Sequence, residues 1–220
     1  MTDADESREI AVEETVEGEV REPVGLDPET AARRERALAE IRQYGDPILR
    51  AHATPVARFD DVLRAEAERM IALMRDALGI GLAGPQAGLA LRIVVYQIDE
   101  EAEPRVLVNP ELLWRSEELE VAEEGCLSLP GVHVDVERPL AVRVRACDLS
   151  GEPFEIAAEG LEARVIQHEI DHLDGVLILD RAPRDQRRAA IRQLRERAAA
   201  ARGDQGGGVL AGQGELASSS

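Results

Sequence analysis

His168 and His172 stand four residues apart around Glu169, in the run Gln167-His168-Glu169-Ile170-Asp171-His172-Leu173-Asp174-Gly175. On an α-helix, residues at that spacing lie on one face, one turn above the other. The two imidazoles can then converge on one cation. Glu169 follows the first histidine directly, so its carboxylate lies beside such an ion without having to bind it. A general acid/base for metal-activated water belongs at that place. The chain holds only four histidines, and two of them fall at this spacing. The simpler alternative is a surface helix that carries two histidines by chance. The apolar flanks argue against it, because burying the charged triplet unpartnered would carry a large desolvation cost.

A catalytic metal takes three protein ligands and keeps one position open. No histidine follows His172, which excludes a zincin-type protease with a third histidine. Asp180 and Asp185 downstream, and Cys126 and His133 upstream, are the remaining candidates. Cys126 is attractive because a thiolate is a soft, strong ligand. With two imidazoles it leaves a divalent site of net charge +1, enough to bring bound water to a pKa near ~7. It lies in Glu123-Glu124-Gly125-Cys126-Leu127-Ser128-Leu129-Pro130-Gly131, beside a glycine and ahead of a proline turn. A lone cysteine otherwise reads as a small buried hydrophobe, and His133 reads as a surface group. Earlier, Gly79-Ile80-Gly81-Leu82-Ala83-Gly84-Pro85-Gln86 allows tight turns and close approach of another backbone. No Gly-Lys-Ser/Thr follows, and the glycines come after a helix, so a nucleotide loop is excluded. Gln86 suits an amide donor facing a carbonyl; taken alone, it reads as a surface glutamine.

These residues need elements to carry them. Apolar Leu161, Val165, Ile166 and Ile170 predict a helix from Gly160 to a stop at Gly175. Val62, Leu63, Ala67, Met70, Ile71, Met74 and Leu78 form one stripe over residues 60–78, a second helix with Met70 and Met74 in the core. Residues 30–41 add a short helix. Strands are expected at 92–98, at 106–108 (stopped by Asn109-Pro110), and at 112–114, 119–122, 132–136, 140–147 and 154–157. Residues 123–131 interrupt the strand pattern. Cys147, at the end of an alternating strand, reads as structural. Residues 183–202 predict a helix with seven arginines against Asp185 and Glu196, docked by Ile191 and Leu194. Its basic face either meets an RNA surface or is simply solvated.

Composition sets the outer bounds. A chain of 220 residues with 44% apolar content makes one domain with tails. Aromatics are only 2%, so aliphatic side chains build the core, and every basic residue is arginine. Net charge is −18, and residues 1–30 carry 11 acidic and 2 basic side chains. We therefore expect an acidic disordered extension at 1–35, a catalytic domain at 36–202 and a disordered Gly/Ser-rich tail at 203–220. The domain is only moderately acidic, which argues against DNA as a partner. Two cysteines make no disulfide framework, no basic and apolar leader is visible, and no apolar run reaches membrane-spanning length. The expected home is the cytoplasm, without a membrane partner.

The three motifs, Gly79 to Gln86, Glu124-Gly125-Cys126-Leu127-Ser128 and Gln167 to His172, resemble in type and order those of the peptide deformylase family. Tyr44-Gly45-Asp46-Pro47-Ile48-Leu49-Arg50 resembles its N-terminal segment. The resemblance implies an α+β fold, with antiparallel sheets packed around a central H-E-x-x-H helix and a C-terminal helix. It implies a hydrolase that removes the formyl group from N-terminal formyl-methionine of new polypeptides, by attack of metal-bound water on the formyl carbon. Cys126, His168 and His172 would hold the metal: Fe²⁺, with Zn²⁺, Ni²⁺ or Co²⁺ able to substitute. Glu169 would move the proton. Gln86 and the Leu127 backbone N–H would stabilise the oxyanion. Ile80 would line the methionine pocket, and backbone near Gly81 and Gly125 would pair with the peptide. In some members a basic C-terminal helix docks on the ribosome, and residues 183–202 have suitable charge. Two positions depart from the pattern. Gly84 stands where the family usually has alanine, which should loosen the loop carrying Gln86. Arg164 replaces an apolar pocket residue of some relatives, which should reshape the methionine pocket. A metallopeptidase of other architecture, which would keep its metal after Cys126→Ala, and a catalytically silent binder without turnover are the alternatives.

Overall fold

A computed structural model of the chain describes residues 25–99 and 101–204. The expected Gly/Ser tail from residue 205 and residues 1–24 of the expected acidic extension lie outside that range. Helix α1 (Pro28–Glu40) starts inside what the sequence assigned to the extension, because Asp27 caps it, accepting from the N–H groups of Glu29 and Thr30 at 3.0 Å. Helix α2 (Asp61–Asp76) is capped by Asp60, and its Leu63, Ala67, Met70, Leu73 and Met74 are buried. Two members of the expected stripe point elsewhere. Val62 is exposed at the first turn, and Leu78 lies past the helix end at φ 59°, where the chain reverses.

Seven strands follow: β1 (Gly81–Ala83), β2 (Ile93–Tyr96), β3 (Arg105–Arg115), β4 (Leu119–Cys126), β5 (Leu129–Pro139), β6 (Ala141–Cys147) and β7 (Pro153–Glu159). They build an antiparallel sheet in the order β1-β2-β3-β6-β7 and a separate ribbon, β4-β5. Helices α3 (Gly160–Leu173), α4 (Ile178–Arg181) and α5 (Arg184–Asp204) complete the described residues. The fold is thus α+β, as expected, with a C-terminal helix.

Strand β2 shows how the layers stack. Val94 and Tyr96 belong to the core under α3, whereas Ile93 and Val95 belong to the core under α1 and α2. Both faces are covered, so its sequence is apolar throughout rather than alternating. A third core joins Leu129, Val132, Val134 and Val136 of the ribbon to Ile178 and Leu179 of α4 and to Ala190 of α5. Cys147 packs at the edge of the second core, the structural role expected for it.

Two expected breaks are not breaks. Asn109-Pro110 does not end β3; the strand passes through a bulge, with Asn109 at φ 54° and the register shifting between Val108 and Glu111. The Asn109 amide compensates by pairing with both polar groups of Val56, at 2.8 Å and 3.0 Å. Likewise β4 continues to Cys126, which pairs with Leu129 across a two-residue turn. A short hairpin, not a loop, therefore presents the cysteine.

Gly84 also corrects an expectation. A Cβ there would collide with the Leu91 carbonyl and lie 3.0 Å from that of Leu89. The Leu89 N–H bonds to the Gly84 carbonyl at 2.8 Å. Glycine thus lets the segment after Gln86 close tightly over residue 84, which pins the loop rather than loosening it.

Candidate active site

Helix α3 is buried nearly all round: Ala163, Val165, Ile166, Gln167, Glu169, Ile170, His172 and Leu173 are all inside. Leu161, expected on its apolar face, is 52% exposed because it belongs to the open first turn and lines a cleft. The helix starts at Gly160 (φ 56°) and stops at Gly175 (φ 73°), where a Cβ would meet the Arg50 carbonyl at 2.7 Å. Burial on both sides fixes which way each side chain of the H-E-x-x-H run can point.

The hairpin turn brings Cys126 to this helix. Its Sγ is 3.3 Å from His172 Nε2, and the ligand atoms of Cys126, His168 and His172 all lie within 4.8 Å of one another. A tetrahedral ion with ordinary Zn–S and Zn–N lengths would set sulfur and nitrogen about 3.6 Å apart. The donor set and its spacing therefore fit a divalent cation. The other candidate third ligands lie elsewhere. Asp180 pairs with Arg50 and accepts from the Leu177 N–H at 2.9 Å, Asp185 is on the exposed start of α5, and His133 pairs with Glu123 at 3.2 Å.

Glu169 lies beside this group with no partner for Oε2, a buried carboxylate oxygen. A Cβ on Gly81 would collide with Glu169 Oε1, so glycine is what lets the carboxylate sit against β1. Burial pushes Glu169 up to about 7, against the lowering charges of His168 and Arg138. Such a carboxyl exchanges its proton near neutrality, as an acid/base group requires.

Gln86 is 1% exposed and so is not the surface glutamine its sequence context allowed. Its Oε1 accepts from the Ala83 N–H at 2.8 Å, which turns the NH₂ toward Ser128 Oγ (3.3 Å) and Cys126 Sγ (3.6 Å). The amide orientation is therefore set by backbone, with its donor facing the site. A strap just after α1 ties the two loops together. The Arg42 N–H donates to the Gln86 carbonyl (2.8 Å), the Gln43 amide to the Leu127 carbonyl (3.3 Å), and the Tyr44 N–H to the Ser128 carbonyl (2.9 Å).

Sequence reasoning missed the hub behind the histidines. Glu124, 6% exposed, accepts from His168 Nδ1 at 2.9 Å, from Arg138 Nε and Nη2 at 2.6 Å and 2.9 Å, and from Arg164 Nη1 at 2.9 Å. With Nδ1 donating, His168 turns its Nε2 lone pair outward to the ligand group. Burial alone would raise Glu124, but the bonds from His168 and Arg138 and the Arg138 charge hold it at about 2. Arg138 also reaches Asp171 at 2.9 Å, and Asp171 bonds to Arg181 at 2.7 Å. The signal was present. Arg138 continues the inward phase of Val132, Val134 and Val136, and Arg164 is one turn before His168. Both charges were therefore inside and had to be paired. Arg164 does not simply reshape an apolar pocket: it borders the cleft while its guanidinium is spent on Glu124.

The site opens on a cleft of about 600 Å³. Ile80, Gly81 and Gly125 line it with Cys126, Leu127, His168 and Glu169. Glu124→Gln leaves two buried guanidiniums short of a counter-charge. Breaking a buried pair in this way should destabilise the protein by ~3–5 kcal/mol. Urea denaturation checks this, and a midpoint unchanged from the parent would remove the hub's structural role.

The chain matches the polypeptide deformylase family over residues 38–188. It is 45% identical over 166 residues to a peptide deformylase of Thermotoga neapolitana, covering 76% of this chain and all of that one. It is 50% identical over 145 residues to one of Dictyoglomus thermophilum, covering 66% of this chain and 93% of the relative. Among solved structures, a Legionella pneumophila peptide deformylase superposes with TM-score 0.69 at 41% identity, over 74% of this chain and 96% of its own. A Synechococcus elongatus peptide deformylase in complex with actinonin gives 0.68 at 44%, over 70% and 85%. With the cysteine and the two histidines gathered beside a buried glutamate, and with relatives matched over most of their length, the chain belongs to the polypeptide deformylase family of enzymes.

Proposed function

We propose that this enzyme removes the formyl group from the N-terminal formyl-methionine of newly made polypeptides. One juxtaposition carries the reading. The Cys126 sulfur and two imidazoles stand beside an unpartnered, buried Glu169 carboxylate, at the wall of a largely apolar cleft. Cys126, His168 and His172 would hold the cation, Fe²⁺ or in its place Zn²⁺, Ni²⁺ or Co²⁺. Held there, a divalent ion lowers the pKa of water and polarises a carbonyl.

The chain's own groups do the rest. Glu169 takes a proton from the attacking water as the water oxygen bonds to the formyl carbon. It returns that proton to the amine nitrogen as the C–N bond breaks, giving formate and a free amino terminus. The Gln86 Nε2–H and the Leu127 N–H donate to the oxyanion that forms between these steps. Gln86 is suited to this because its amide is already turned by the Ala83 N–H. Ile80 borders the methionine side chain, and backbone at Gly81 and Gly125 pairs with the extended peptide, as an added strand does at a sheet edge. The substrate is proposed to be met in the cytoplasm; no described helix is long and apolar enough to cross a membrane.

Helix α5 is proposed to approach the ribosome. Ala190 is buried against the ribbon, and Gln186 clasps Asp135 through two bonds of 2.8 Å, while Arg188, Arg192 and Arg195 face outward. Replacing these three with glutamate should abolish low-salt co-sedimentation with ribosomes; equal co-sedimentation would remove the proposal.

Glu169→Gln should retain the metal by elemental analysis and lose formate release from formyl-Met-Ala-Ser by about 10²-fold or more. Wild-type-like turnover would overturn the proton-transfer role. Glu169 must be ionised to accept the proton, so kcat/KM should fall as pH drops. Burial sets its pKa at about 7 and a nearby cation pulls it lower, so this acid limb belongs at or below pH 7.

A further inference from the structure

Two open strand edges border the cleft. Among the described residues, β1 ends the five-stranded sheet, and β4 has β5 as its one neighbour in the ribbon. Gly81 of β1 and Gly125 of β4 both line the cleft. The two edges differ in length, because β1 has three residues and β4 has eight. A chain laid between them leaves β1 after a few residues, while β4 continues.

The register of the ribbon says which backbone groups of β4 are open. The Leu140 N–H donates to the Glu118 carbonyl at 2.9 Å, and the pairing then runs without a shift from Leu119 and Pro139 to Gly125 and His133. Hydrogen-bonded pairs alternate along an antiparallel ladder. Glu120, Ala122 and Glu124 thus turn their N–H and C=O groups to β5, whereas Val121, Glu123 and Gly125 turn theirs to the open edge. Leu119 and Val121 are 52% and 61% exposed. Glu123, the charged residue between Val121 and the cleft, is drawn across the ribbon to His133 at 3.2 Å. Proteins usually blunt a long edge that carries exposed apolar side chains; this one is left open where it runs into the cleft.

The chemistry sets the direction. The formyl group has to reach Cys126 and Glu169, and Cys126 is the last residue of β4. A substrate paired at Gly125 therefore runs antiparallel to β4, back toward Val121. At ~3.3 Å per residue, Val121 lies about 13 Å beyond Gly125, some four residues further along the substrate.

We infer that the open edge of β4 from Gly125 to Val121 binds the newly made chain beyond its first residues, as an added strand held by backbone N–H and C=O groups, with Val121 offering an apolar contact to one side chain. The inference rests on the proposed reading of the cleft as a formyl-peptide site. Recognition through backbone is largely independent of sequence, which suits an enzyme that acts on many different chains. It takes place away from the reacting atoms, so it acts on KM and not on kcat.

The test uses the full, metal-loaded chain and formate release from formyl-Met-Ala-Ser and from formyl-Met-Ala-Ser-Ala-Thr-Val-Thr-Ala. The wild type should show a KM about tenfold lower for the longer peptide at equal kcat, the scale of one or two added backbone hydrogen bonds. The longer peptide with N-methyl groups on residues four to six cannot donate to the edge, and its KM should return to that of the tripeptide. Val121→Pro removes an N–H that faces outward and spares the bonds to β5. In that variant the ratio of the two KM values should move toward one. Equal KM values in the wild type, no effect of N-methylation, or a wild-type ratio in Val121→Pro would each overturn the inference. So would a dimer in sedimentation that Val121→Pro dissolves without any effect of peptide length, since a second copy would then occupy the edge. Failure of the wild type to release formate from either peptide would instead overturn the formyl-peptide reading, and the extended edge site with it.

Discussion

A single buried carboxylate holds the reaction centre together. Glu124 comes from β4, and the groups it binds come from β5 (Arg138) and α3 (Arg164 and His168). Two residues further along β4 is Cys126, so the ion pairs that clamp the ribbon to the helix also bring the sulfur to the histidines. Three positive or proton-donating partners around one carboxylate offset the cost of burying it, which an isolated charge could not bear. Asp171 and Arg181 extend the same network along α3, so the helix is held in register by charge as well as by apolar contact.

Glycine supplies the other half of the geometry, by letting backbone come where side chains could not. At Gly81 the space belongs to the Glu169 carboxylate, and at Gly84 to the returning chain at Leu89 and Leu91. Gln86 can turn its amide inward only because this closed loop gives it the Ala83 N–H as a partner. The strap at residues 42–44 then fixes the Gln86 loop relative to the Leu127 turn. Donor, sulfur and carboxylate are thus placed by three chain segments that are distant in sequence, each satisfied by backbone bonds before any substrate arrives.

Much of this was legible in the residues. The i, i+4 histidines fixed the helix and its face, and the apolar periods located α2, α3 and most strands. Cys126 remained one of several candidate ligands until the chain's resemblance was weighed, because no local rule says which distant segment meets a helix. Asn109-Pro110 looked like a stop because bulges trade a ladder bond for a side-chain bond, here to Val56, that sequence does not display. Leu161 and Leu78 broke their stripes because helix ends open outward, and both line the cleft instead. Arg138 and Arg164 were readable in principle. Their phase put them inside, and inside means paired.

The central claim is that one ion is bound by a sulfur from the ribbon and two nitrogens from α3. X-ray absorption at the metal edge of the loaded protein tests this most directly. The account predicts one sulfur at about 2.3 Å and two imidazole nitrogens near ~2.1 Å for the zinc form, with the sulfur shell gone in Cys126→Ala. A shell of nitrogen and oxygen only in the wild type would contradict it.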